Sequence, residues 1–345
     1  MNPVDSQVKY FHSDAPFPLE SGDVLPSLTV AYHTFGQLSP ERDNAVWVMH
    51  ALTANSDVAD WWPHTVETGK FLDPEKYFVI CANVIGSCYG SSGPARPFVE
   101  GEDPLYEQFP YVTVRDMVNA HKLLMKHLGL SRLNTIIGSS LGGFQALEWL
   151  VDQPDIADRA ILCATDYQCR PWLAAINKAM YMAIEADPTF GQPSPNAGRK
   201  GLEAARAIAL LSYRSHSAYD LTQADPPGRE NPFNRRVHSY QAYQGKKLAD
   251  RFDVYSYLRM CRSSDTHDVS RNRGSFAEAL SRVKARCLVV AISSDILFPP
   301  SYHEELAAML PDSRLEIIES EFAHDGFLIE HEKLDNLIQN FYANE

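Results

Sequence analysis

Gly138-Ser139-Ser140-Leu141-Gly142 sets a serine between two glycines where an apolar, strand-like run (134–138) gives way to helical periodicity (141–151). A Gly-x-Ser-x-Gly turn in that setting lifts one hydroxyl clear of the backbone, so Ser140 is a candidate nucleophile for attack on a carbonyl. Side chains at 138 or 142 would collide where strand and helix approach, and Gly143 relieves the same crowding. A serine hydroxyl is a weak nucleophile at neutral pH and needs a histidine base, itself held by a carboxylate. Asp295, in Ser293-Ser294-Asp295, follows the apolar run 286–292, and His324 follows the next run, 315–319. The residues therefore come in the order Ser, Asp, His, each just past a strand. Taken singly, Asp295 reads equally as a helix cap, His324 as a solvated loop residue and Ser140 as a cap; their joint order favours a catalytic set. The oxyanion of an acyl-transfer intermediate needs two backbone amides, and Leu141 and Leu52 are the candidates, Leu52 because His50-Ala51-Leu52-Thr53 follows the strand-like run 45–49. His50 is read as orienting that loop, not as reacting.

These residues need a scaffold that brings several strand ends to one crevice. Apolar, β-branched-rich runs at 28–32, 45–49, 77–83, 134–138, 159–164, 286–292 and 315–319 alternate with helix-like segments, which indicates an α/β fold with a mainly parallel sheet. The helix expected at 114–128 presents Val114, Met117, Val118, His121, Leu124 and Leu128 on one face, with a Thr113/Asp116 capping box; His121 belongs to that core-facing stripe. Between 165 and 285 strand signals vanish, and helical segments are expected at 172–186, 202–214, 238–251 and 275–283, joined by Pro/Gly-rich connectors at 191–198 and 224–232. An insertion that long is not a loop. The expected organisation is a core formed by residues 1–164 and 286–345 and a helical lid formed by 165–285.

A 345-residue chain can bury a large core, and its formal charge of −13 without any basic run disfavours nucleic acid as a partner. No stretch approaches 18 uninterrupted apolar residues and the first residues lack a signal-like pattern, so no membrane association and a cytoplasmic location are expected. The six cysteines show no C-x-x-C spacing and several sit in apolar strands, which favours buried free thiols over disulfides or a metal site.

Beyond the elbow, the chain resembles one family closely, the homoserine O-acetyltransferases, α/β-hydrolase-fold enzymes that acylate the homoserine hydroxyl from acyl-CoA in methionine biosynthesis. The stretches that carry the resemblance are His50-Ala51-Leu52-Thr53, Gly86-Ser87-Cys88-Tyr89-Gly90-Ser91-Ser92-Gly93-Pro94, Val114-Arg115-Asp116-Met117-Val118, the elbow through Trp149, Asp250-Arg251-Phe252-Asp253, Ser293-Ser294-Asp295 and His324-Asp325. The family's Gly-Leu-x-x-Ala-Arg segment, with Tyr-Arg seven residues on, matches Gly201 to Arg206 and Tyr213-Arg214. The resemblance implies that Arg206 clamps the homoserine carboxylate, that Tyr213 supports it, and that Asp325 holds the ammonium group. It also implies acyl-CoA as co-substrate with no resident cofactor, and a homodimer built through the lid; Tyr240, Tyr243, Tyr255 and Tyr257 would suit such an interface and read equally as lid core. Arg235, Arg236, Lys246, Lys247 and Arg271 are candidate contacts for CoA phosphates. Ser139 and Leu141 depart from the family's usual Gly-Gly-Ser-Met-Gly-Gly elbow and are expected to alter the acyl pocket. Succinyl-CoA as donor, serine as acceptor, a plain serine esterase and a noncatalytic binding protein on the same fold are the alternatives.

Overall fold

The computed structural model describes residues 7–228 and 231–343. Its strands are β1 (Lys9–Ser13), β2 (Phe17–Pro18), β3 (Val24–Leu25), β4 (Leu28–Phe35), β5 (Ala45–Met49), β6 (Phe78–Ala82), β7 (Leu133–Ser139), β8 (Ala157–Cys163), β9 (Arg286–Ile292) and β10 (Ser313–Ile318). Eight of them form one sheet in the order β1-β4-β6-β5-β7-β8-β9-β10, and β2 pairs with β3 alone. β4 runs antiparallel to both its neighbours, and every pairing from β6 to β10 is parallel.

All seven strand-like runs seen in the sequence are strands of this sheet. The central strands are buried on both faces, which is why they read as continuous apolar runs. In β5, Ala45, Trp47 and Met49 join the core on one side, while Val46 and Val48 join the core on the other. The order along the sheet reverses at β5, whose neighbours are β6 on one side and β7 on the other. In open α/β sheets the crevice beyond the strand ends at such a reversal is where ligands sit.

Helix Val114–His127 covers one face and starts with the expected capping box: the Thr113 hydroxyl accepts from the Asp116 amide, and the Asp116 carboxylate accepts from the Thr113 amide. His121 is fully buried against Trp47 and Trp149. The edge strand β1 and the β2–β3 pair have no counterpart in the sequence reading; β1 alternates half-buried with exposed residues and leaves no apolar run to detect.

Between β8 and β9 the chain forms helices Pro171–Glu185, Arg199–Tyr213, His216–Gln223, Arg236–Ala249, Val254–Asp265 and Phe276–Leu280. Four were expected and two were not. Ser215, whose hydroxyl accepts from the Ala218 amide, begins His216–Gln223. Helix Val254–Asp265 is buried along nearly its whole length, and Ser256, Arg259, Ser263 and Ser264 are among its buried residues, so its polar side chains do not mark a solvent face. Tyr255 and Tyr257 lie on it fully buried, which removes them from any interface; Tyr243 is exposed. The connector expected at 224–232 falls partly on residues 229 and 230, outside the described residues.

The segment returning to β9 is anchored to the core by charge. Arg273 makes a two-pronged contact with the buried Glu148 carboxylate, at 2.6 and 2.9 Å, and Arg115 Nε donates to the same carboxylate at 2.9 Å. Glu148 lies two turns along the helix that begins at Ser140. Removing one member of such a buried set strands the others, a loss of about 3 kcal/mol or more. Glu148→Ala is therefore expected to lower the unfolding free energy measured by urea titration by that amount, and Glu148→Gln by less; equal stability of Glu148→Ala and wild type would refute the anchoring role.

Candidate active site

Ser140 sits between β7 and helix Leu141–Asp152 with φ 56° and ψ −125°, a left-handed conformation that costs a residue with a side chain on the order of 1–3 kcal/mol. The turn closes only because its flanks are glycines. A Cβ on Gly138 would lie 2.2 Å from the Gly142 carbonyl oxygen, and one on Gly142 would lie 2.1 Å from the Met49 carbonyl oxygen. The hydroxyl of Ser140 lies 2.9 Å from His324 Nε2, and His324 Nδ1 lies 2.8 Å from Asp295 Oδ2. Asp295 and His324 are buried, so these polar links are shielded from water.

Asp295 does not cap the helix that follows it, because that helix begins after Pro299. Its other oxygen, Oδ1, accepts from the amides of Leu297 (2.7 Å) and Phe298 (3.1 Å). These bonds stabilise the carboxylate and aim Oδ2 at the imidazole. With Nδ1–H donating to Asp295, His324 Nε2 is the basic nitrogen and accepts from Ser140 Oγ–H. The loop carrying His324 is held by Ser294: its hydroxyl donates to the Ser320 carbonyl (2.5 Å) and accepts from the amide of Ala323, a residue at φ 51°.

Leu52 and Leu141 flank this array. Neither backbone amide donates to another protein group among the described residues, so both remain open to a developing oxyanion. His50 orients the Leu52 loop: its Nδ1–H donates to the Ala51 carbonyl at 2.8 Å, and its Nε2 accepts from the Val84 amide at 3.1 Å. Burial lowers its pKa to about 4, which keeps the ring neutral in that role.

A cavity of about 90 Å³ opens over Ser140, lined by Leu52, Thr53, Arg206, Tyr213, His324, Asp325, Phe327 and Leu328. Six of the eight residues proposed from sequence (Ser140, His324, Leu52, Arg206, Tyr213 and Asp325) thus line one small space, and Leu141 and Asp295 adjoin them in the elbow and the triad. Arg206 and Tyr213 both come from helix Arg199–Tyr213, with the Arg206 guanidinium 5.3 Å from the Tyr213 ring centroid. Among the described residues Arg206 has no carboxylate partner. Asp325 is partnered by Arg214, whose Nε donates to Oδ2 at 3.0 Å, an ion pair between lid and histidine loop that spacing did not reveal.

The elbow's two departures lie elsewhere. Ser139 is the buried last residue of β7 and the Leu141 side chain packs into the core, so neither side chain lines the cavity; Phe327 and Leu328 do. Arg271 pairs with Glu20 at 2.8 Å, next to the Arg115 anchor, and Arg235 pairs with Asp225. Among the described residues no group of three or more His, Cys, Asp or Glu side chains is placed to hold a metal ion, and no helix is long and apolar enough to cross a membrane.

A strand–serine–helix elbow with its histidine and aspartate at later strand ends defines the class, and the family described as the alpha/beta hydrolase fold matches residues 44–330. A homoserine O-acetyltransferase from Cyclobacterium marinum is 39% identical over 339 residues, covering 98% of this chain and 96% of that protein. The chain belongs to the homoserine O-acetyltransferase family. Among solved structures, the homoserine O-acetyltransferase from Staphylococcus aureus superposes with a TM-score of 0.81 at 28% identity, covering 97% of this chain and 95% of that one. An acetylester hydrolase from Corynebacterium glutamicum superposes with a TM-score of 0.85 at 26% identity, covering 97% and 96%.

Two predictions follow from this geometry. Asp295→Asn keeps the shape but favours the wrong imidazole tautomer, so turnover measured by thiol release should fall roughly 10³- to 10⁴-fold; a drop below tenfold would exclude the aspartate's orienting role. Burial also lowers His303 to about 4 and both His121 and His267 to about 3, alongside His50. Their folded pKa values lie below the unfolded one of about 6.5, so the unfolded chain binds more protons in that window. Their contribution is intact above about pH 6.5 and is lost as pH falls through 4 toward 3, by on the order of 3 kcal/mol per imidazole. The urea midpoint should accordingly drop steeply across that range, and a flat profile would contradict the buried neutral rings.

Proposed function

We propose that the chain is a homoserine O-acetyltransferase that moves an acetyl group from acetyl-CoA to the hydroxyl of L-homoserine through an acyl-Ser140 intermediate. In the first half-reaction His324 Nε2 takes the Ser140 proton as Oγ attacks the thioester carbonyl. The Leu52 and Leu141 amides stabilise the oxyanion. The carbon–sulfur bond breaks, and the imidazolium returns the proton to the departing CoA thiolate. In the second half, His324 takes the proton of the homoserine hydroxyl as it attacks the acyl-serine, then protonates Ser140 as the new ester leaves.

The observation that carries the reading is the pair of opposite charges over the nucleophile: the uncommitted Arg206 guanidinium and the Asp325 carboxylate line the same 90 Å³ cavity as Ser140. An α-amino acid carries the complementary pair, a carboxylate for Arg206 and an ammonium for the Asp325 oxygen that Arg214 leaves free. A hydrolase acting on a neutral ester needs neither. The small cavity also suits an acetyl group better than a succinyl group, whose extra carboxylate would compete for Arg206. Acyl-CoA is then a co-substrate and no resident cofactor is invoked. Lys246 and Lys247, in the last turn of helix Arg236–Ala249, are the lid cations proposed to face CoA phosphates. We further propose a cytoplasmic homodimer that covers the exposed lid residues Met182, Leu211, Leu221 and Tyr243.

The test pairs two donors, acetyl-CoA and succinyl-CoA, with homoserine, serine or no acceptor, while thiol release and product mass are followed. The expected result is O-acetylhomoserine formed in preference to free acetate, ping-pong kinetics, and no activity in Ser140→Ala. Charged hydrogen bonds are worth about 1.5–3 kcal/mol, so Arg206→Ala should lower kcat/KM for homoserine about 10- to 100-fold while CoA release without acceptor persists. Equal hydrolysis with and without homoserine would establish an esterase instead.

A further inference from the structure

Ser140 and the loop carrying Asp295 are joined by a second route that does not pass through His324. Thr165, fully buried just past the end of β8, donates its hydroxyl to the Ser140 carbonyl at 2.9 Å. Its own amide donates to His303 Nε2 at 3.0 Å, and His303 Nδ1–H donates to the carbonyl of Pro299 at 3.3 Å. Pro299 directly follows the turn whose Leu297 and Phe298 amides hold Asp295. Thr165 is itself delivered by a strained residue, Ala164 at φ 48°, whose amide is bound to the Val290 carbonyl at 2.9 Å. The Ser140 amide is held at the same place, by the Cys163 carbonyl at 3.1 Å.

We propose that Thr165 is a positioning residue for the reaction: its hydroxyl, set by His303, fixes the strained Ser140 peptide so that Oγ faces His324. Packing of the following helix maintains the left-handed backbone at Ser140, and the Gly143 and Phe144 amides, at 2.9 and 3.3 Å, hold its carbonyl only from the helix side. Among the described residues, Thr165 supplies the one side-chain donor, from the strand side. The neutral state of His303 fits this role, since the Thr165 amide needs an imidazole nitrogen that accepts. Thr165 also lies under the nucleophile helix, where a Cβ on Gly143 would come within 2.3 Å of its hydroxyl oxygen. The hydroxyl and the helix thus pack with no room for a side chain at position 143.

The inference rests on the reading of Ser140 as nucleophile, and the experiment separates the two. Labelling of Ser140 by a fluorophosphonate and the first-turnover release of CoA are timed in wild type, Thr165→Val, Thr165→Ser and His303→Leu. Thr165→Val keeps the shape and loses the donor, so acylation and labelling should slow about tenfold, the worth of one buried hydrogen bond, with the KM for homoserine unchanged. Thr165→Ser keeps the donor and should stay within about twofold of wild type. His303→Leu leaves the hydroxyl present but unset and should reproduce the slowing, which decides the matter if Thr165→Val does not fold. Wild-type rates in Thr165→Val or in His303→Leu, or equal losses in the Val and Ser variants, would overturn the positioning role. Absence of label in the wild type would sink the nucleophile reading instead.

Discussion

The backbone of Ser140 is the constraint on which the rest of the structure depends. It is held in a left-handed conformation that no β-strand or helix residue adopts by itself, at a cost on the order of 1–3 kcal/mol. The neighbouring packing makes relaxation more costly still. The helix after Ser140 approaches β5 and the residues after β8 so closely that Gly142 and Gly143 have no room for a methyl group. That approach is enforced by the hydrophobic core: the helix buries Phe144, Leu147, Trp149 and Leu150 against the sheet. Strain at one residue is thus maintained by apolar burial along a whole helix, and the return is a hydroxyl that stands where the imidazole of His324 can reach it.

The same strategy recurs at the other strand ends. Ala164 after β8 and Ala323 before His324 also have positive φ, and each has its amide tied down, to the Val290 carbonyl and the Ser294 hydroxyl respectively. Side chains that must meet within hydrogen-bond distance are delivered by loops too short to relax. The Asp295 turn differs: there the functional side chain organises its own loop by accepting two amides with one oxygen. The core therefore reads as a rigid frame for nucleophile, base and carboxylate, with the backbone geometry supplied by neighbours in space.

How much of this is legible in the sequence depends on the range of each interaction. The seven strands could be read because two-sided burial makes them continuous apolar runs, and the elbow because steric crowding at Gly138, Gly142 and Gly143 leaves a local signature. Asp295 and His324 were legible through chain order. Helix Val254–Asp265 was not read from the sequence although it is buried along nearly its whole length, and of the two readings open for Tyr255 and Tyr257, interface or lid core, the structure shows core. The Arg214–Asp325 pair spans 111 positions and the Glu148 anchor joins residues 33 and 125 apart, with no local pattern to announce either. The departures at Ser139 and Leu141 misled for a different reason. Adjacency to the nucleophile in sequence does not place a side chain in the cavity, since alternate residues at a strand end face opposite sides.

The strand ends supply Ser140, Asp295 and His324, and the inserted helices supply the guanidinium above them. Helix Arg199–Tyr213 carries Arg206 and Tyr213 to the mouth of the cavity, and the next residue, Arg214, grips the loop of the base. That helix is seated by contacts as close as those at the elbow: a Cβ on Gly201 would lie 2.7 Å from the Ile184 backbone, and one on Gly245 would lie 2.5 Å from the Glu203 carbonyl oxygen. Close helix packing fixes where the guanidinium stands relative to Ser140, so the charge over the nucleophile is as firmly placed as the nucleophile itself. An overall charge of −13 then has little bearing on what the site selects, because one uncommitted arginine beside one half-committed aspartate sets the local field. The likeness to an acetylester hydrolase across nearly the whole chain shows how widely this frame is shared, down to the strand ends that carry the serine, aspartate and histidine here.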